Sequence, residues 1–148
     1  MRLSTKGQYA LEAVLTMAAE SPESLISIQT LGQKTGISTP YLEQIFANLR
    51  RAGLVKSTRG TQGGYSLSRA QADITVGEIL RAGEGSLAPV HCSEKGSESC
   101  AAFDYCLTSP LWLRMDKAIS SVLENISLAE LVSLWEDQKP GKYLDFSI

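Results

Sequence analysis

The sequence predicts a mainly α fold with one small β-hairpin: a winged helix-turn-helix followed by a long C-terminal helix. Three observations carry this. Two short segments of helical apolar periodicity flank a turn at Gly36-Ile37-Ser38. Two strand-like runs joined by a glycine-rich tip follow them at once, and a longer apolar stripe opens at Ser109-Pro110.

Residues 4–20 place Tyr9, Ala10, Ala13, Val14, Met17 and Ala18 at three- and four-residue steps. Leu11 and Leu15 widen that stripe, and Ser21-Pro22 ends the helix. Residues 28–36 form a second helix with Ser27 as N-cap, Ile28 and Leu31 turned inward and Gly36 as the stop. Thr39 then caps a third helix and Pro40 opens it. It runs to about Ala52, is buried through Leu42, Ile45, Phe46 and Leu49, and stops at Gly53. Two short helices around a tight Gly-containing turn, the second opened by small polar residues, make a helix-turn-helix. Residues 54–58 and 64–68 read as strands around the tip Arg59-Gly60-Thr61-Gln62-Gly63, which adds a wing.

Thr75 and Glu78 form a capping box for a helix over 76–82, ended by Gly83 and Gly85. Residues 83–107 are rich in Gly, Ser and Glu, with little apolar periodicity. Thr108 or Ser109 caps the long helix, Pro110 lies in its first turn, and it runs to about Asn125. Leu111, Met115, Ala118, Ile119, Val122 and Ile126 line one face, widened by Trp112 and Leu123. Ser127 and Glu130 form a second capping box for a final helix through about Glu136; the tail from Gln138 reads as irregular. The chain thus divides into a winged helix-turn-helix over 1–82, a cysteine-bearing loop over 83–107, and a C-terminal part over 108–148.

A chain of 148 residues can bury one core plus a small added element, and 43% hydrophobic with 20% charged residues is ordinary for a soluble protein. The apolar stretch from Leu11 to Ala19 is broken by Glu12 and Thr16, and no stretch is long enough to span a bilayer. Arg2 and Lys6 precede no signal-peptide pattern, so a cytoplasmic protein without a membrane partner is expected. No nucleophile–base set, phosphate-cradling loop or paired carboxylates in a cleft-forming context is evident, so an enzyme is not expected. Net charge is −2, but residues 1–82 hold nine Lys/Arg against six Asp/Glu, and residues 83–148 hold five against ten. A basic first part facing DNA phosphates fits this division, as does a plain solvated surface.

The chain's three cysteines, Cys92, Cys100 and Cys106, all lie in the polar loop. Thiolates are soft metal ligands, and in the cytoplasm loop cysteines bind metal or react more often than they form disulfides. An odd number cannot all pair within one chain. The competing readings are inert thiols, a thiol redox switch, and zinc, which needs four good ligands for a closed site.

Several segments together resemble the IscR family, the winged-helix transcription factors of bacterial iron–sulfur cluster regulation. They are the opening MRLSTKGQYAL, the stretch ISTPYLEQIFANLRRAGLVKSTRG, the wing's GGY, the loop cysteines, CLTSPLW at the start of the long helix, and ISLAELV. The likeness runs to about residue 134. It implies a homodimer that binds a double-stranded DNA operator, controls cluster-biogenesis genes, and holds an iron–sulfur cluster on Cys92, Cys100 and Cys106. The implied cluster is 2Fe–2S, with 4Fe–4S as the alternative, and it can be lost on aerobic purification. The chain departs from the family pattern at Ser109, where the family places a histidine ligand, and in a Cys92–Cys100 spacing two residues longer. Candidates for the fourth ligand are Ser109, Asp104, Glu98, His91 and Glu12.

A recognition helix offers its N-terminal side chains to base edges, which makes Ser38, Thr39, Tyr41 and Gln44 the candidates, with Gln44 suited to adenine. Glu43 near phosphates gains only where it accepts from a cytosine amine. The resemblance gives a glutamate here the role of discriminating operator classes by cluster status; the plain alternative is a surface charge paired with Arg50 or Lys34. At the wing tip, Arg59 and Gly60 are candidates for a narrow minor groove. Arg2, Lys6, Arg50, Arg51 and Lys56 are candidate phosphate contacts. An apolar stripe on a long helix needs a partner surface, within the chain or on a second subunit; the likeness favours the second subunit. Two other functions remain in competition: a nitric-oxide- or redox-sensing repressor of the same family, and a winged helix that binds protein.

Overall fold

The computed structural model describes residues 2–20, 23–95, 98 and 100–139. Among them the chain is mainly helical with one antiparallel hairpin, as expected. Helix α1 spans Thr5–Glu20, α2 Ile28–Thr35 and α3 Thr39–Arg51. Strands β1 and β2 span Val55–Thr58 and Gly64–Leu67. Helix α4 is Val76–Glu84, α5 His91–Lys95, α6 Ser109–Glu124 and α7 Leu128–Asp137. The expected stop at Ser21-Pro22 lies outside the described residues.

The core is built where the periodicity puts it. Ala10, Ala13, Val14, Met17 and Ala18 of α1 pack with Leu31, Leu42, Ile45, Phe46 and Leu49, all buried. Small residues on α1 let α4 come close: a Cβ on Gly83 would lie 3.0 Å from the Gly7 Cα. From α7, Leu128 and Val132 complete the same core, with the backbone N–H of Leu128 donating to Ile74 O at 2.8 Å. No helix among the described residues is long and apolar enough to cross a membrane.

The caps are mostly where side-chain chemistry requires them. Ser27 Oγ accepts from the Thr30 amide at 3.1 Å, and Gly36 ends α2 at φ 75°, a left-handed conformation that needs glycine. The Thr75–Glu78 capping box is complete in both directions. Ser127 accepts from the Glu130 amide at 3.1 Å.

Three expectations are corrected. Ser38, not Thr39, holds the cap position of α3. The first helical bond runs from the Leu42 amide to Ser38 O at 3.0 Å, and Pro40, one residue further in, loses only an amide that has no partner at a helix start. Gly83 does not end α4, because its lack of a side chain serves the crossing with Gly7 and Gly85 supplies the positive-φ stop. The cysteine loop is not wholly irregular: it contains α5 and a 3-10 turn over Phe103–Tyr105, both too short to leave a periodic signal. The hairpin also gains a third partner, for Ile26 bridges Tyr65 through bonds of 2.9 and 2.8 Å. That approach is why residue 64 is glycine, since a Cβ there would sit 2.6 Å from Ile26 O.

Phe46 is fully buried and its ring packs tilted against that of Tyr65, centroids 4.8 Å apart, tying α3 to the wing. Replacing it with alanine is expected to cost about 3–5 kcal/mol of stability, measured by urea unfolding.

Candidate nucleic-acid interface and cysteine loop

Burial of Leu42, Ile45, Phe46 and Leu49 fixes how α3 is rotated. Ser38, Glu43 and Gln44 are exposed as a consequence, while Thr39 and Tyr41 are half-buried. Tyr41 meets Tyr9 edge-on at 5.6 Å, so its ring also holds α3 to α1. Glu43 makes no ion pair among the described residues. One of its two alternative partners is taken, because Lys34 pairs with Glu20 at 2.8 Å. Arg50 makes no ion pair either among the described residues, so the exposed carboxylate of Glu43 stands open on the outward face of α3.

The hairpin sets Val55 opposite Leu67 and Thr58 opposite Gly64, which projects the tip away from the core. Gly60 takes φ 119°, and its carbonyl accepts from the Gly63 amide at 3.0 Å, closing the turn. Gly63 is hemmed in by Thr58 and Gly60 backbone. Arg59 is exposed at this tip, and Arg2, Lys6, Arg50, Arg51 and Lys56 are exposed as well. The structure therefore leaves Ser38, Glu43 and Gln44 of the α3 candidates, and Arg59 and Gly60 of the wing, on exposed positions, with no ion pair to Glu43 or Arg59 among the described residues.

The thiols of Cys92, Cys100 and Cys106 are free and half-buried. Among the described residues, no group of three or more His, Cys, Asp or Glu side chains lies together as a metal site. The donor set itself fits a soft metal centre, and its chemistry is clearest at Cys106. Trp112 Nε1 donates to Thr108 Oγ1 at 3.1 Å, and Thr108 Oγ1 lies 3.2 Å from Cys106 Sγ. An indole N–H can only donate, so the hydroxyl accepts from it, and toward the thiolate form of Cys106, which has no proton to give, the hydroxyl donates. This hydrogen bond from Thr108, with those of the Thr108 and Ser109 amides at the start of α6, holds the Cys106 thiol below its ordinary pKa. The sequence reading takes Thr108 only as a helix cap; its four-residue spacing from Trp112 is the signal that points to the relay.

Ser109, where the resemblance would place a histidine, is 8% exposed, and its hydroxyl donates to Cys106 O at 3.1 Å. It serves the turn into α6. Glu12, His91, Glu98 and Asp104 are exposed. On α6, Leu111 and Val122 of the stripe are 52 and 59% exposed and Ala118 is exposed with them, so part of the stripe is uncovered in a single chain. Tyr105 and Leu107, flanking Cys106, are 89 and 98% exposed.

Comparison with known proteins gives one consistent result. The family described as Rrf2, iron-dependent transcriptional regulator, matches residues 3–134. The HTH-type transcriptional regulator IscR of Serratia proteamaculans is 43% identical over 133 residues, covering 90% of this chain and 80% of that protein. Among solved structures, IscR of T. potens superposes with a TM-score of 0.75 at 40% identity, covering 94% of this chain and 91% of that one. CymR, the global cysteine regulator of B. subtilis, superposes with a TM-score of 0.73 at 36% identity, covering 90% and 98%.

Proposed function

Because the chain belongs to the Rrf2 family of iron-dependent transcriptional regulators, and is therefore a DNA-binding regulator of the IscR type, we propose that it senses an iron–sulfur cluster and reports on it through its choice of operator. The observation that carries this reading is the Thr108–Cys106 contact, which couples a thiolate-favouring cysteine to the first turn of α6. Cys92, Cys100 and Cys106 hold the cluster. A bound cluster would supply redox chemistry and lability to oxygen at these thiolates. The fourth donor comes from Asp104, Glu98, Glu12 or His91, because the Ser109 hydroxyl is engaged with a backbone carbonyl. Its targets are cluster-biogenesis genes, and the relatives' names, those of transcriptional regulators, give no ground for proposing catalysis.

The chain's own residues do the reading. Gln44 and Glu43 meet base edges from α3, Arg59 enters a narrow minor groove from the wing, and the basic residues around them take phosphates. Two chains pair through α6 and read a pseudo-palindrome. The protein acts in the cytoplasm. In a second reading the signal is nitric oxide or oxidation: Cys106 is the kind of thiolate such agents attack, and CymR, named for cysteine regulation, shares the fold.

Anaerobic reconstitution tests the cluster directly: iron and sulfide are expected in the protein with visible absorption, and a colourless product would overturn the reading. Glu43→Ala is expected to relax operator choice, admitting sites whose base pair lacks a cytosine amine, at a discrimination of about 1–3 kcal/mol per base pair. Titration against an operator set changed one base pair at a time reads this out.

A further inference from the structure

Glu84 joins two parts of the molecule that the proposed function requires to communicate. It is the last residue of α4, and Gly85 then turns the chain out of the helix at φ 88°, toward Cys92. Its Oε1 accepts from the Ser4 amide at 2.7 Å, the Ser4 hydroxyl at 2.7 Å and the Gly7 amide at 3.1 Å. Amides at the start of a helix have no acceptor within it, and the positive end of the helix favours an anion there. The contact depends on glycine: a Cβ on Gly7 would come 2.8 Å from the Glu84 Cγ.

The anchored end of α1 also carries Lys6, which with Asn48 and Arg51 lines a depression of about 500 Å³ that Glu84 borders. Helix α4 is also tied to α6. Glu124 reaches past Gly77 to pair with Arg81 and accepts from Thr75 Oγ1 at 3.2 Å. Helix α4 is thus a short rod, held by α6 from its cap to its last turn and holding α1 at its end.

We infer that Glu84 is the positioning residue through which the state of the cysteine loop reaches the DNA-facing start of α1, an inference that rests on the cluster-sensing reading above. One carboxylate oxygen accepts three hydrogen bonds from the first turn of α1, one residue before the chain leaves α4 for the loop. A loop rearranged by ligation pulls on Glu84 through Gly85, and so shifts Ser4, Lys6 and Gly7 against the DNA backbone.

The test compares cluster-loaded and metal-stripped protein by hydrogen exchange over residues 4–7 and by operator affinity. In the wild type, amide protection at Gly7 is expected to differ between the two states. In Glu84→Ala that difference is expected to vanish, and the loaded-to-stripped affinity ratio to shrink about threefold or more, with the visible absorption of the bound cluster unchanged. Full retention of the wild-type ratio in Glu84→Ala overturns the inference and leaves cluster sensing standing. If Glu84→Ala does not fold, Glu84→Asp, one methylene too short to reach Ser4 and Gly7, is read with the same two outcomes. A wild-type ratio of one removes the sensing reading and this inference together.

Discussion

Charging the α6 stripe is expected to split the protein into monomers and to remove most of its operator affinity. Leu111 and Val122 are 52 and 59% exposed on one face of α6, so glutamates there meet no core residue and leave the fold intact. In a dimer they face the same helix of the partner and bring like charges into an apolar seam, where an unpaired carboxylate is costly. A dimer holds its second reading head at a high effective concentration over the second half-site, and losing that linkage costs about 10²–10⁴-fold in apparent affinity. Light scattering of Leu111→Glu with Val122→Glu is expected to give the monomer mass with unchanged helical circular dichroism. Persistence of the dimer mass would place the interface elsewhere.

The second large effect is at Cys106. Cys106→Ser replaces a thiolate-forming ligand with a hydroxyl that stays protonated at neutral pH and binds soft metals poorly. Losing a group that merely orients a ligand already costs about 10–100-fold in metal affinity. Loss of Cys106 itself is therefore expected to leave anaerobically reconstituted protein without iron, sulfide or colour. Thr108→Val is the finer probe. The Thr108 hydroxyl is the leading reason the Cys106 pKa is lowered, so removing it raises the pKa and reduces the thiolate fraction at any pH near neutral. Alkylation of Cys106 is then expected to shift to higher pH in Thr108→Val. An unchanged pH profile would show that the relay from Trp112 does not tune the sulfur.

What could be read from the residues alone was whatever is encoded locally. The Ser27 cap, the Gly36 stop, the Thr75–Glu78 box and the inward faces of α1 and α3 all depend on spacings of four residues or fewer, and all are found. Long-range features were not legible. Ile26 joins the hairpin through a single bridge that carries no pattern, and Gly83 reads as a breaker until Gly7 is brought against it. Glu84 reads as a loop charge because its partners lie some eighty positions away. The candidate site divides along the same line. Three free thiols in a polar loop are candidate donors legible in the sequence, and the exposure of Glu43, Gln44 and Arg59 follows from their positions. The gathering of a ligand set depends on tertiary geometry that neither residue type nor spacing encodes.

The measurement that bears most directly on cluster sensing is operator affinity followed across cluster occupancy in one anaerobic preparation, from fully loaded to fully stripped, at fixed salt. The expected result is an affinity that tracks occupancy at one operator class at least, with Glu43→Ala blunting the dependence. An affinity indifferent to occupancy at every operator tested would contradict it.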